Sequence, residues 1–73
     1  MVYPNPAHDK LFIVNQTTGN FDAVILSMDG RLLSAHSLCG TKAMLDVSDL
    51  TDGLYIIKIH SDRGILVNKF LKE

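Results

Sequence analysis

The sequence predicts a small all-β domain, an antiparallel sandwich of six to seven short strands. Three observations predict it. Short apolar runs, several alternating with period two, recur along the chain. Turn residues interrupt them about every ten residues. No stretch carries the longer periodicity of a convincing helix.

The elements follow in order. Tyr3-Pro4-Asn5-Pro6 reads as a stiff, extended entry, because each proline fixes its own φ and pushes the residue before it towards extended conformations. Residues 1–8 are read as this entry segment and residues 9–73 as the folded core of a single domain. Leu11-Phe12-Ile13-Val14 is an apolar run of β formers that ends in the polar loop Asn15-Gln16-Thr17-Thr18-Gly19-Asn20. Residues 21–28 form the next strand, with Val24, Leu26 and Met28 on one face and Ala23 and Ile25 on the other. Both faces are apolar, so periodicity does not say which points inward.

Asp29-Gly30 then signals a hairpin of type I′, a turn that needs positive φ at both central residues. Residues 31–37 make the return strand and Leu38-Cys39-Gly40 ends it. Residues 42–47 are a short strand with Ala43, Leu45 and Val47 in alternation. Residues 48–53 form a turn region, with room for one helical turn that buries Leu50. Residues 54–61 show the clearest alternation: Tyr55, Ile57 and Ile59 take one face, Lys58 and His60 the other. Asp62-Arg63-Gly64 is a tight loop, and residues 65–71 close the sheet.

Composition bounds the function. A chain of 73 residues is one domain, and a domain of this size buries only about 60% of its unfolded surface. It leaves little room for both a core and an enclosed active site. Net charge is -1 and the 7 basic side chains are scattered, so a basic face for nucleic acid is lacking. Cys39, the lone cysteine, rules out an internal disulfide. No apolar run reaches the roughly 18 residues of a helical membrane span, and no signal peptide is read at the start of the chain.

Candidate chemistry is sparse. His8, His36, Cys39 and His60 are the soft metal ligands, but their spacing does not make a zinc site, and surface histidines explain them better. Asp46, Asp49 and Asp52 recur at every third residue, which suits either calcium or turn chemistry. The spacing departs from the EF-hand loop, and Asp side chains commonly bond nearby backbone amides, so turn chemistry is preferred. Nothing resembles a nucleophile elbow, and no enzyme is read here. No cofactor is expected. Asn15-Gln16-Thr17 fits the N-glycosylation pattern.

Four motifs, in order, resemble one family. Tyr3-Pro4-Asn5-Pro6 is similar to an opening Tyr-Pro-Asn-Pro. Asp29-Gly30-Arg31 is similar to a central Gly-Arg hairpin. Leu50 with Gly53-Leu54-Tyr55 and the strand after it resembles a Leu-x-x-Gly-x-Tyr element, and Lys69-Phe70-Leu71-Lys72 resembles a basic-apolar ending. Together they resemble the type A C-terminal sorting domain of the type IX secretion system of Bacteroidetes-type bacteria, over nearly the whole chain. Leu32-Leu33 and Cys39-Gly40 match no motif of it.

The resemblance implies an immunoglobulin-like sandwich at the C-terminus of a larger secreted cargo. It implies recognition by an outer-membrane translocon and its shuttle protein, then removal by a surface sortase near or before Tyr3. It implies passage through the periplasm to the cell surface or beyond. The residues expected to carry this are Pro4, Asn5, Pro6, Gly30, Arg31, Gly53, Tyr55, Lys69 and Lys72. The glycines and Tyr55 would hold the fold, and the basic residues would make contact. An open strand edge would also allow a homodimer. The alternative is an accessory immunoglobulin- or fibronectin-like binding module kept on a secreted enzyme or adhesin. That reading calls for an exposed aromatic platform, and the five aromatics fall mostly in strand patterns that suggest burial.

Overall fold

Apolar alternation sets the strands, and the turn residues end them. The computed structural model describes residues 2–14 and 19–73. The Asn15-Gln16-Thr17 pattern, and most of the polar loop that holds it, lie outside these. Among the described residues there are seven strands and no helix: β1 (Val2–Tyr3), β2 (Lys10–Val14), β3 (Asn20–Ser27), β4 (Leu32–Cys39), β5 (Lys42–Asp46), β6 (Gly53–Ser61) and β7 (Gly64–Lys72).

Two antiparallel sheets result, one in the order β1-β2-β5 and the other in the order β4-β3-β6-β7. They bury their facing sides against each other. The first contributes Leu11, Ile13 and Leu45, with Val47 just beyond β5; the second contributes Phe21, Ala23, Ile25, Tyr55, Ile57, Ile59 and Phe70. Each large apolar side chain so buried is worth about 1.5–3 kcal/mol relative to exposure. In a constant-type immunoglobulin domain the fourth strand joins the sheet of the first, second and fifth. Here β4 pairs β3 instead, which leaves a three-stranded sheet facing a four-stranded one.

The inward face of β3 is the one with Ala23 and Ile25. The register explains it: Ala23 lies beside Ile59 and Ile25 beside Ile57, so these side chains share a face across the strands. Val24 and Leu26 are left on the outer face, partly exposed.

The β3–β4 hairpin corrects the expected turn. No described non-glycine residue has positive φ, so Asp29 does not adopt the conformation a type I′ turn requires. The Gly30 N–H donates to the Ser27 carbonyl at 2.9 Å and the Ser27 N–H to the Arg31 carbonyl at 2.9 Å. This is a three-residue loop, Met28-Asp29-Gly30, with Gly30 at φ 91° closing it as a bulge. The return strand starts one residue later than expected and runs on through Cys39, which is exposed.

Within the expected entry segment 1–8, Val2, Tyr3 and Ala7 join the fold. Val2 pairs with Ile13 and Tyr3 with Phe12, and Ala7 is fully buried.

Candidate functional site

The two ends of the chain meet along β7. Pro4 and Pro6 have no N–H, so this stretch cannot run an ordinary ladder. The Asn5 side chain makes a contact outside any ladder: its Oδ1 accepts the Leu71 N–H at 2.9 Å. Ala7, the first residue after the prolines, donates its N–H to the Leu71 carbonyl at 2.7 Å. The Glu73 N–H returns a bond to the Ala7 carbonyl at 2.9 Å, and His8 Nδ1 lies 3.3 Å from the Glu73 carbonyl oxygen. Ala7 and Lys72 form a parallel bridge. Tyr3-Pro4-Asn5-Pro6 and Lys69-Phe70-Leu71-Lys72 therefore make one surface, although more than sixty residues separate them.

Of the remaining expected residues, Lys69 and Lys72 share β7 with Leu71, while Gly30, Arg31, Gly53 and Tyr55 lie on other elements. Lys69 is exposed, but Lys72 is only 7% exposed, with Nζ 3.3 Å from the Glu73 carbonyl. Strand parity explains the difference. Lys72 sits across from Gly53 on the face that buries Phe70, whereas Lys69 sits across from Ile56 on the outer face.

Arg31 lies at the far hairpin, its side chain largely exposed, with Nη2 3.8 Å from Asp29 Oδ2. Asp29 accepts a bond from the Ser27 hydroxyl and a longer one from the Arg31 N–H, and these hold its carboxyl below the usual range.

Tyr55 anchors the corner between β5 and β6. Its ring stacks on Phe70, with centroids 5.7 Å apart, and its hydroxyl donates to the Thr51 carbonyl at 2.6 Å. A tyrosine at the start of this strand that bonds the backbone a few residues upstream is the tyrosine corner of immunoglobulin-like sandwiches. Leu50 packs against the core from the same turn.

The aspartates expected for calcium or turn chemistry are engaged locally where bonds are seen. Asp46 Oδ1 accepts the Ser48 hydroxyl at 2.6 Å and the Ser48 N–H at 2.9 Å. Those two bonds, with the Lys10 charge a smaller cause, hold its carboxyl low. Among the described residues no three His, Cys, Asp or Glu side chains form a group that could hold a metal. His36 faces inward beside Ser34 Oγ at 3.2 Å, and His60 is exposed on the outer face. Of the five aromatics, Phe21, Tyr55 and Phe70 are in the core. Tyr3 and Phe12 stack with centroids 5.4 Å apart, partly exposed, and the Lys42 ammonium lies 5.4 Å from the Phe12 ring.

The clasp between the termini escaped the sequence reading. The available signal was Asn5 itself, an amide side chain held between two residues that cannot donate.

Compared with known families, the chain matches the secretion system C-terminal sorting domain over residues 1–73. No curated protein and no solved structure matches it. That family is not an enzyme family. The four sequence motifs lie on the entry segment, the hairpin tip, the tyrosine corner and the last strand of a seven-stranded sandwich, and by the match over residues 1–73 the chain belongs to the C-terminal sorting domains of type IX secretion.

Proposed function

We propose that this domain carries a larger cargo protein, joined ahead of it, across the outer membrane through the type IX translocon, and that a surface sortase then removes it. The cargo crosses the periplasm in transit and ends on the cell surface or outside the cell. A shuttle protein of the machinery is the partner that reads the folded domain. The observation that carries this reading is the family match over the whole chain. The clasp of Asn5 and Ala7 on Leu71 supports it, since both terminal motifs are then joined by hydrogen bonds. Lys69 and Arg31 are the contact residues of this reading. Gly30, Gly53, Tyr55, Pro4, Asn5, Pro6 and the buried Lys72 keep the surface in shape.

The test is a fusion of residues 2–73 to the C-terminus of a periplasmic reporter, in a host with a type IX system. The expected outcome is reporter at the cell surface, freed of the domain, in a translocon-dependent way. Reporter held in the periplasm with the domain folded would sink the proposal.

A further inference from the structure

The larger sheet has β4 at one edge and β7 at the other, and the β7 edge is half covered. Leu71 points its N–H and C=O away from β6, to Asn5 and Ala7. Outward and inward groups alternate along an antiparallel strand, so Ile65, Val67 and Lys69 also turn theirs to the free edge. Among the described residues nothing bonds to them.

The side chains there are open as well. Ile65, Leu66 and Val67 are 63%, 59% and 56% exposed. Leu66 shares a face with its cross-strand partner Ile59, which is 4% exposed. The smaller sheet therefore stops short of β7. β1, whose trailing segment reaches β7 at Lys72, is only two residues long and cannot extend that cover. Nine residues of edge strand without proline, bulge or inward charge over its first half are what natural proteins usually avoid.

Within β6 and β7 the charge has one sign, although Asp62 in the loop between them and Asp22 beside His60 lie near the Ile65 end. Neither β6 nor β7 contains a carboxylate, while Lys58 lies across from Val67 and Lys69 across from Ile56 on the outer face. We infer that residues 65–69 are a strand-addition site for an extended segment of a partner protein that carries on one face two apolar residues and, at the next position of that face, a carboxylate. Its backbone would pair with Ile65, Val67 and Lys69, its apolar side chains would cover Ile65 and Val67, and a carboxylate would meet Lys69. The inference rests on the sorting reading, in which that partner belongs to the secretion machinery.

A second copy fits less well. Self-pairing that sets Leu66 on Leu66 places Arg63 against Lys69 twice, and like charges directly opposite are destabilising. Self-pairing on Val67 sets each Lys69 against Ile65, with no acid to meet it.

The test uses three forms of the reporter fusion: the natural sequence, Val67→Pro and Lys69→Glu. Proline at 67 removes one outward N–H and leaves the bonds to β6 in place. Both variants should keep the circular dichroism and melting of the natural domain and lose at least tenfold in surface delivery. In the free domain the amides of Ile65, Val67 and Lys69 should exchange with solvent at least a hundredfold faster than those of Leu66 and Asn68. Should Val67→Pro fail to fold, Ile65→Lys combined with Val67→Lys takes its place. Folded variants delivered like the natural sequence overturn the edge site and leave the sorting reading standing. Protected edge amides in a monomer, or a dimer of the natural domain that Val67→Pro dissolves, overturn it too. A natural fusion that is not delivered removes the sorting reading and this inference together.

Discussion

At the scale of single residues, a few side-chain hydrogen bonds fix the corners that strand pairing leaves open. Tyr55 serves two ends: its ring fills the core beside Phe70, and its hydroxyl ties the β5–β6 connection to the sheet through Thr51. Replacing Tyr55 by Phe keeps the ring and removes the bond. The expected cost is about 1 kcal/mol, which for a domain of this size lowers the melting temperature by roughly 4–8 °C. Urea unfolding of both forms checks it, and equal midpoints would show that water replaces the Thr51 bond without loss. The Asp46–Ser48 turn gives a pH dependence. The Ser48 hydroxyl and N–H hold the Asp46 carboxyl below the 3.8 of a free aspartate. The unfolded chain therefore binds the proton more readily than the folded one, so stability rises with pH across this range. The contribution is complete above that free value and is lost as pH falls through the lower folded one. Asp29 acts in the same direction through Ser27 and Arg31. Ser48→Ala should flatten the acid loss of stability between neutral pH and pH values below 3.8. Unfolding midpoints at both ends of that range measure it, and an unchanged acid slope would assign the loss to other carboxylates.

Elements were legible wherever local pattern and burial agree. β6 alternates between Tyr55, Ile57 and Ile59 inside and Lys58 and His60 outside, and the structure buries it that way. Ala43, Leu45 and Val47 likewise turn inward together. β3 could not be read, because Val24 and Leu26 are as apolar as Ala23 and Ile25; only pairing with β6 decides between them. Asp29-Gly30 announced a hairpin, but its class depends on how Ser27 and Arg31 bond across it, and that is a property of the strands. β1 was missed, since two residues ahead of a proline carry no period. The lysines of the last strand were legible as a pair, and their separation into exposed Lys69 and buried Lys72 was not. That division bears on how the strand is probed. Deleting residues 69–73 would also remove Phe70 from the core and Leu71 from the clasp. Such a deletion tests folding and recognition at once, whereas Lys69→Glu alters an exposed side chain alone.

At the scale of the whole molecule, the clasp determines where the domain begins. Val2 and Tyr3 are paired with β2, Tyr3 is stacked on Phe12, Asn5 and Ala7 are bonded to Leu71, and Ala7 is sealed in the core. A protease needs an accessible, extended segment, and such segments lie outside packed structure. To cut between Tyr3 and Lys10 it would have to peel away β1, break the bonds to Leu71 and open the core at Ala7. Cutting there would also uncover the backbone of β7 at Leu71 and lengthen the open edge that begins at Ile65. If a sortase removes this domain, the scissile bond therefore lies ahead of Val2, and the released piece keeps the Tyr-Pro-Asn-Pro segment. Mass spectrometry of the domain shed by the reporter fusion measures this directly: its N-terminus should fall at or before Val2. Limited proteolysis of the purified fusion should give the same boundary, because the barrier is packing and not the specificity of one enzyme. A product that starts between Ala7 and Lys10 would mean that the entry segment detaches before cleavage, and the clasp would then be a gate that opens during export instead of a fixed part of the signal.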